Sequence, residues 1–311
     1  MVRFILFRLM RATLTVVLVV SFAFCILRLA GDPSQVVLGP NAPPDAVAAF
    51  RQAWGLQRPL YLQYLLYWNG ILHGNFGNSM LDGRPVLAVV LSHIPATLEI
   101  MGPALLLSIA IGIPGGAFAA LRRDTATDRA VMALSVAGFT VPSFVLGLGL
   151  VLVFAVLLHW LPAGGREGWT SAVLPVMTLG FGGAAVLARF TRSAMAEVMG
   201  QPYIRAASAK GLPWRSVVQW HALPNALIPT VTIIGFMVGA MLAGAVVVES
   251  VFSWPGLGRL LVVAVGSRDV AVVQCILFLV AVTMVTANLC VDLLYGWLDP
   301  RILTEQGGRG R

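Results

Sequence analysis

The chain has a single lysine, Lys210, set between Ala209 and Gly211. A phosphate cradle needs a glycine-rich turn ending in a lysine and a hydroxyl residue, GxxxxGK[ST], so that backbone N–H groups and the ammonium hold the phosphates. The residues around Lys210 do not form one, so ATP chemistry is not expected in this chain. The histidines, His73, His93, His159 and His221, are far apart, and no two have the i, i+4 spacing that would put a pair of ligands on one helix face. Cys25, Cys275 and Cys290 lie inside apolar runs without CxxC spacing, which suggests small packing residues and neither a zinc site nor a disulfide framework. An intramembrane protease would need a Ser/His or paired-Asp arrangement within apolar segments, and only Asp292 is suitably placed. No enzyme is expected. What remains is a polar face: Asn288 and Asp292 at i, i+4 in the last apolar run, with Thr283 and Thr286 nearby. Polar groups inside a membrane are costly and are functional candidates for that reason. This pair could serve ion-coupled transport, or it could hydrogen-bond a neighbouring helix, and the second reading is the simpler.

The elements that would position these residues follow from composition. Of 311 residues, 58% are hydrophobic and 11% charged, the latter less than half the share usual in soluble domains. A helix needs about 20 residues to cross the hydrocarbon core. Six stretches qualify or nearly do: 12–27, framed by Arg11 and Arg28, then 100–121, 130–158, 168–188, 226–248 and 270–291. The third contains Val141-Pro142, so it must tilt strongly or bend where proline removes a donor. The first has no A-x-A site after it, which argues that it is retained as an anchor.

Short loops rich in Lys and Arg stay cytoplasmic. Arg3, Arg8 and Arg11, then Arg122, Arg123 and Arg129, then Arg189, Arg192, Arg205, Lys210 and Arg215, and finally Arg301, Arg309 and Arg311 outnumber the arginines of the alternate segments. Both termini are therefore expected inside and residues 30–98 outside, so a cysteine at Ser34 should react only from the external side. The same asymmetry accounts for the formal charge of +8. With no basic run interleaved with aromatics, nucleic acid is not an expected partner. Gly112, Gly115 and Gly116, and likewise Gly235 and Gly239, offer small-residue faces that should pack against a partner helix.

Two hydrophilic regions stand out. Residues 30–98 carry turn formers around Gly31-Asp32-Pro33 and from Gly39 to Pro44, then a stretch from Asp45 to Trp54 that reads as a short amphipathic helix. Residues 189–225 have helical Ala and Ser spacing broken at Gly200-Gln201-Pro202 and Gly211-Leu212-Pro213.

The internal region, with Tyr203, Arg205, Ala206, Ala207, Ala209, Lys210 and Gly211, followed by His221, Leu223, Pro224 and Asn225, resembles the EAA loop by which permease subunits of ATP-binding-cassette importers dock onto their ATPases. The small Ala206, Ala207 and Ala209 allow close helix packing, Gly211 allows a sharp turn, and Pro224 is expected to stop the second segment before the next span. A bulky change at Val217, on that second segment, should matter less than one at Gly211. The resemblance extends along nearly the whole chain to the first-permease type of the dipeptide, oligopeptide and nickel permease family. It rests on Gly31-Asp32-Pro33, on Gly55 to Leu60 with Gln63-Tyr64, on Gly74 to Ser79, on Pro95 to Glu99, on Arg189 to Met195, on Val248 to Arg259, and on Asn288 to Tyr295 with Asp299-Pro300-Arg301. Arg205 stands where the loop's name would put Glu, Ala30 replaces a Pro, and Asn75 and Pro224 replace Asp and Arg, so the docking role is implied without that particular salt bridge.

The resemblance implies an all-α integral membrane protein: six transmembrane helices with cytoplasmic termini and a type I importer core. Residues 1–29 would hold the first span, 30–98 an extracytoplasmic segment, 99–295 the permease core with its docking loop at 193–225, and 296–311 a cytoplasmic tail. It implies a multi-pass inner-membrane location, binding-protein-dependent transport of di- or oligopeptides, and nickel or glutathione as alternatives. The implied partners are a second homologous permease, two ATPase subunits that bind ATP and magnesium, an extracytoplasmic solute-binding protein and membrane lipid. No cofactor or metal is expected in this chain.

Overall fold

The computed structural model describes residues 2–29 and 31–298, with side chains for 6–29 and 31–290. Ala30, the side chains of Arg3 and Asp292, and the tail from Asp299, with Arg301, Arg309 and Arg311, lie outside the described residues. The regular secondary structure of the described residues is helical apart from one isolated bridge, Asn78 to Pro85. In chain order the helices are α1 (Val2–Leu29), α2 (Ser34–Leu38), α3 (Pro44–Ala53), α4 (Leu60–Leu72), α5 (Val86–Leu121), α6 (Ala126–Thr140), α7 (Ser143–Leu150), α8 (Trp169–Met199), α9 (Pro202–Ala209), α10 (Trp214–Ser216), α11 (Leu223–Val251), α12 (Leu257–Gly266) and α13 (Val270–Leu298). Two π-helical stretches, Val151–Leu157 and Val217–Ala222, continue α7 and join α10 to α11.

Among the described residues five helices are long and apolar enough to cross a membrane, and α6 with α7 and its π-helical continuation makes a sixth span if the bent pair counts as one. That pair is bent by 102°. The cause is local. Proline disfavours the helical region for the residue before it, and Val141 sits at φ −71°, ψ 120° ahead of Pro142 at φ −56°, ψ 140°.

Hydropathy located the spans but underestimated the helices. α5 begins at Val86, inside the segment read as external, so its 36 residues reach about 54 Å, well beyond a bilayer core of about 30 Å. α8 runs ten residues past Arg189. Charged residues end an apolar window but are good helix formers, so the helices continue into the head-group region and beyond. In the external segment the short helix is found at α3, with Asp45 in its first turn.

The chain divides into two compact units. Among the described residues the first contains 98–254 and 286–298. Here α8 is central, flanked by α6, α7 and α11. The glycines expected to meet a partner chain are used inside this unit: a Cβ on Gly112 would lie 2.6 Å from Leu187 Cβ and 2.8 Å from the Ala184 carbonyl, so Gly112 lets α5 pack directly on α8. Gly116 meets the Ala188–Arg192 stretch of α8 in the same way, and Gly235 and Gly239 are buried in α11. Only Gly115 of that set faces open space.

The second unit contains residues 2–97 and 255–285. Its core joins Val86 and Val90 of α5 to Ala264 of α12 and to Val272, Val273, Cys275 and Ile276 of α13. The buried Asp269 accepts from Ser79 Oγ and from the Val272 N–H, tying the loop before α5 to the start of α13. In α2, Ser34 is completely buried, its N–H donating to Asp32 Oδ1 at 2.8 Å. The Asp32 carboxyl is held below its ordinary value: burial would raise it, but hydrogen bonds from Ser34 and Arg51 outweigh that. A cysteine at Ser34 would therefore be shielded from reagents on either side, and the exposed Ala46 on α3 is the better reporter.

Candidate functional site

α8 leads directly into the segment singled out by sequence. At its end Gly200 closes the helix, Gln201 is extended, and Pro202 opens α9 at a position where its missing N–H costs nothing. α9 closes at Lys210, whose N–H donates to the Ala206 carbonyl at 3.1 Å, and Gly211 follows at φ +80°, a left-handed backbone that a side chain disfavours. Pro213 then opens α10. The result is a compact hairpin of α9 and α10.

One face of the hairpin is fixed. Ile204 and Ala207 of α9 pack with Met195 of α8, Ala120 of α5, and Val217, Ala222 and Ala226 beyond the turn. Of the loop residues expected to dock, Ala207 thus packs inward, and His221 and Leu223 are half-buried. Tyr203, Arg205, Ala206, Ala209, Lys210, Gly211, Pro224 and Asn225 are exposed. Three apolar residues join them on the outside that spacing did not single out: Leu212, Trp214 and Trp220. Two tryptophans among charged neighbours, where solvated helices carry polar residues, were the available signal.

Two expectations need correction. Pro224 does not stop the second segment: residues 214–251 form one continuous helix. The π-helical turn over Val217–Ala222 absorbs the proline, because its wider winding removes the demand for a donor at that position. Leu223 accordingly stays helical at φ −60°, ψ −47° ahead of Pro224. Val217 is completely buried against α9, so it cannot serve as a mild comparison for Gly211.

A part-buried ion pair braces the same end of the unit. Arg192 of α8 donates to both oxygens of Asp128 in the first turn of α6, at 3.1 and 2.7 Å, and Asp128 also accepts from the Asp124 N–H. Neither residue was singled out as a contact beforehand.

At the other end of α5 and α8 lies a cavity of about 860 Å³. Its walls include Leu107, Trp169, Val176 and Met177, and its polar rim is Glu99, Arg166 and Glu167. Next to the cavity α5 and α8 meet in a tight seam. At the seam Ser108 Oγ donates to the Gly180 carbonyl at 2.9 Å, and a Cβ on Gly180 would lie 2.6 Å from Leu107 Cδ2. At the rim Arg166 donates to both oxygens of Glu99, with Nε at 2.8 Å. Those hydrogen bonds, only partly opposed by burial, hold the guanidinium above its ordinary pKa. Asn288 is exposed on α13, while the Asp292 side chain lies outside the described residues, so the polar face expected there is only half described.

Residues 112–304 match the family of binding-protein-dependent transport system inner membrane components, and residues 1–101 match the N-terminal part of binding-protein-dependent transport system membrane components. The chain belongs to this family. It is the permease subunit of an ATP-binding-cassette importer and a multi-pass inner-membrane protein. The permease is 42% identical over 290 residues to the glutathione transport system permease protein GsiC of Salmonella choleraesuis (strain SC-B67), covering 93% of this chain and 94% of the relative. With the GsiC protein of Escherichia coli (strain K12) it shares 41% over the same length, at the same coverage of both chains. In structure it is similar to the inward-facing MetNI methionine ABC transporter, with a TM-score of 0.57 at 18% identity, covering 68% of the permease and 97% of that chain. A crystal structure of an amino acid ABC transporter with histidines gives 0.51 at 20%, covering 67% and 94%. At these identities the likeness shows the fold: the type I importer core.

Proposed function

We propose that this permease passes a short peptide inward, glutathione included, and that the exposed face of the α9–α10 hairpin docks onto an ATPase subunit. The observation that carries the docking reading is the hairpin itself: it is anchored to α5 and α8 through Met195 and Ala120 while Tyr203, Lys210, Leu212 and Trp214 face outward. A push on that face is therefore delivered to two spanning helices. ATP and magnesium belong to the partner ATPases, a second permease completes the pathway, and an extracytoplasmic binding protein delivers the solute. The chain itself makes and breaks no bonds. Its task is a two-state switch between inward and outward access, driven by contacts that differ between the states. In this reading residues 99–295 form the core with the docking loop at 193–225, and 30–98 and 296–311 lie on opposite sides of the membrane.

The substrate class rests on the GsiC relatives and on the cavity. A rim of Glu99, Arg166 and Glu167 above apolar walls suits a solute with charged ends and a partly apolar body. The decisive experiment is uptake into vesicles holding the complete importer, with a dipeptide, glutathione and nickel supplied in turn through the binding protein. Uptake of nickel alone would overturn the peptide reading.

Removing the rim pair by the double change Glu99→Ala and Arg166→Ala should lower uptake roughly tenfold, since one lost charge-assisted contact to a solute carboxylate is worth about 1.5 kcal/mol or more. The pair is itself solvent-exposed, where such pairs stabilise by about 0.5 kcal/mol, so assembly should be unchanged. Normal uptake by the double variant would remove the cavity from the pathway.

The orientation has its own check. A cysteine at Ala46 should react with an impermeant thiol reagent in intact spheroplasts, and one at Ala209 only after the membrane is opened. The reverse pattern would invert the topology.

A further inference from the structure

The thirteen residues of α4, LYLQYLLYWNGIL, contain no Asp, Glu, Lys, Arg or His. At about 20 Å the helix is too short to span the hydrocarbon core, and its two faces have different tasks. The inner face is an aromatic ladder against α1: Tyr64 Oη lies 2.6 Å from Ser21 Oγ, and the Phe24 ring meets Tyr64 edge-on at 5.3 Å and stacks on Tyr67 at 5.8 Å. The outer face is apolar where a water-facing helix would be polar. Leu60, Tyr61, Leu65, Leu66 and Leu72 are 62%, 70%, 60%, 43% and 79% exposed, with Asn69 the one amide among them.

The moorings fix the depth. Ser21 and Phe24 lie eight and five residues before the end of the span Leu6–Leu29, which places the contact about 12 and 8 Å inside that end at the helical rise. Arg28, its guanidinium over the Phe24 ring, marks the polar boundary on α1. A helix held at that level sits among head groups and upper acyl chains, too deep for a soluble partner. The exposed face also lacks the glycine, alanine and serine by which membrane helices approach one another. At the same level α1 itself exposes the apolar Phe22 and Ile26. The exposed Arg58, just ahead of Pro59, is placed to reach phosphates.

We propose that α4 is an interfacial anchor whose Leu60, Tyr61, Leu65, Leu66 and Leu72 face lies in the phospholipid layer at the Leu29 end of α1, tethering the segment between α1 and α5 to the bilayer surface.

The test is a photoreactive benzophenone amino acid placed at Leu65 or, separately, at Leu72, in cells expressing the permease with its partners. After irradiation the chain is analysed by mass spectrometry. Phospholipid adducts should dominate at both sites by several-fold over any protein cross-link, whereas the same probe at Ala46 on α3 should give none. A cross-link to the second permease or to the binding protein as the main product would overturn the proposal, and so would the absence of any adduct at both sites. Either site alone decides the matter if the other prevents assembly.

Discussion

Gly211→Val is expected to abolish coupled uptake while leaving the permease inserted and assembled enough to purify. A Cβ at Gly211 would meet nothing within 4 Å, so no clash inside the chain is involved. The cost is in the backbone. At φ +80° an ordinary side chain is strained by about 1–2 kcal/mol, and a β-branched one is worse placed still. The turn would relax towards negative φ and re-aim α9, displacing Tyr203, Ala206 and Lys210 on the face proposed to dock. Gly211→Asn, which tolerates left-handed geometry, should keep most of the activity. The measurement is solute-stimulated ATP hydrolysis and uptake in vesicles holding all partners. The valine variant should lose more than tenfold in uptake, and hydrolysis should no longer respond to loaded binding protein. Gln219→Val, an equally branched change at an exposed position, is the comparison. Equal behaviour of Gly211→Val and wild type would make the hairpin an ordinary connector.

The second large effect is on folding. Gly112→Leu should prevent accumulation of assembled permease, because its Cβ would start 2.6 Å from Leu187 Cβ and 2.8 Å from the Ala184 carbonyl. Those are groups on or next to the α8 backbone and cannot turn aside, so the helices must part along a seam that also contains Gly116 and Ser108. Overpacking in a close-packed interior costs about 1–3 kcal/mol, more when backbones must shift. Gly115→Leu, three residues on and facing open space, should assemble normally. Size-exclusion profiles of the two variants in detergent, purified with their partners, would show it. If both assemble equally, α5 and α8 are not packed through Gly112.

These two glycines show where sequence reading succeeds and where it stops. Gly211 was legible because a turn is a local event: a glycine between two helical stretches, followed by Leu212-Pro213, needs no distant partner to explain it. The spans were legible for a similar reason, since hydropathy reports the medium a segment lives in. Arginine placement gave an expected orientation that the cysteine labelling at Ala46 and Ala209 would test, and Pro142 implied a strong tilt or a bend, of which the structure shows a bend of 102°. The family was legible because several short motifs recur in the right order along the chain.

What a side chain faces was not legible. Gly112 and Gly116 looked like surfaces for another chain and are filled by α8 of the same one. Val217 looked like a tolerant position on the second helical segment and is buried in one cluster with Ile204. Pro224 looked like a stop and is carried through by a π turn. The Arg192–Asp128 brace, the cavity above the α5–α8 seam and the inverted face of α4 each depend on helices far apart in sequence. The physical reason is common to all of them. Each residue turns a helix face by about 100°, so small departures such as one π turn or one proline bend reassign every contact downstream. Composition and spacing determined which segments enter the membrane and where the chain turns; only tertiary packing decided which face of each helix is spent on its neighbour and which is left for lipid, solute or a partner.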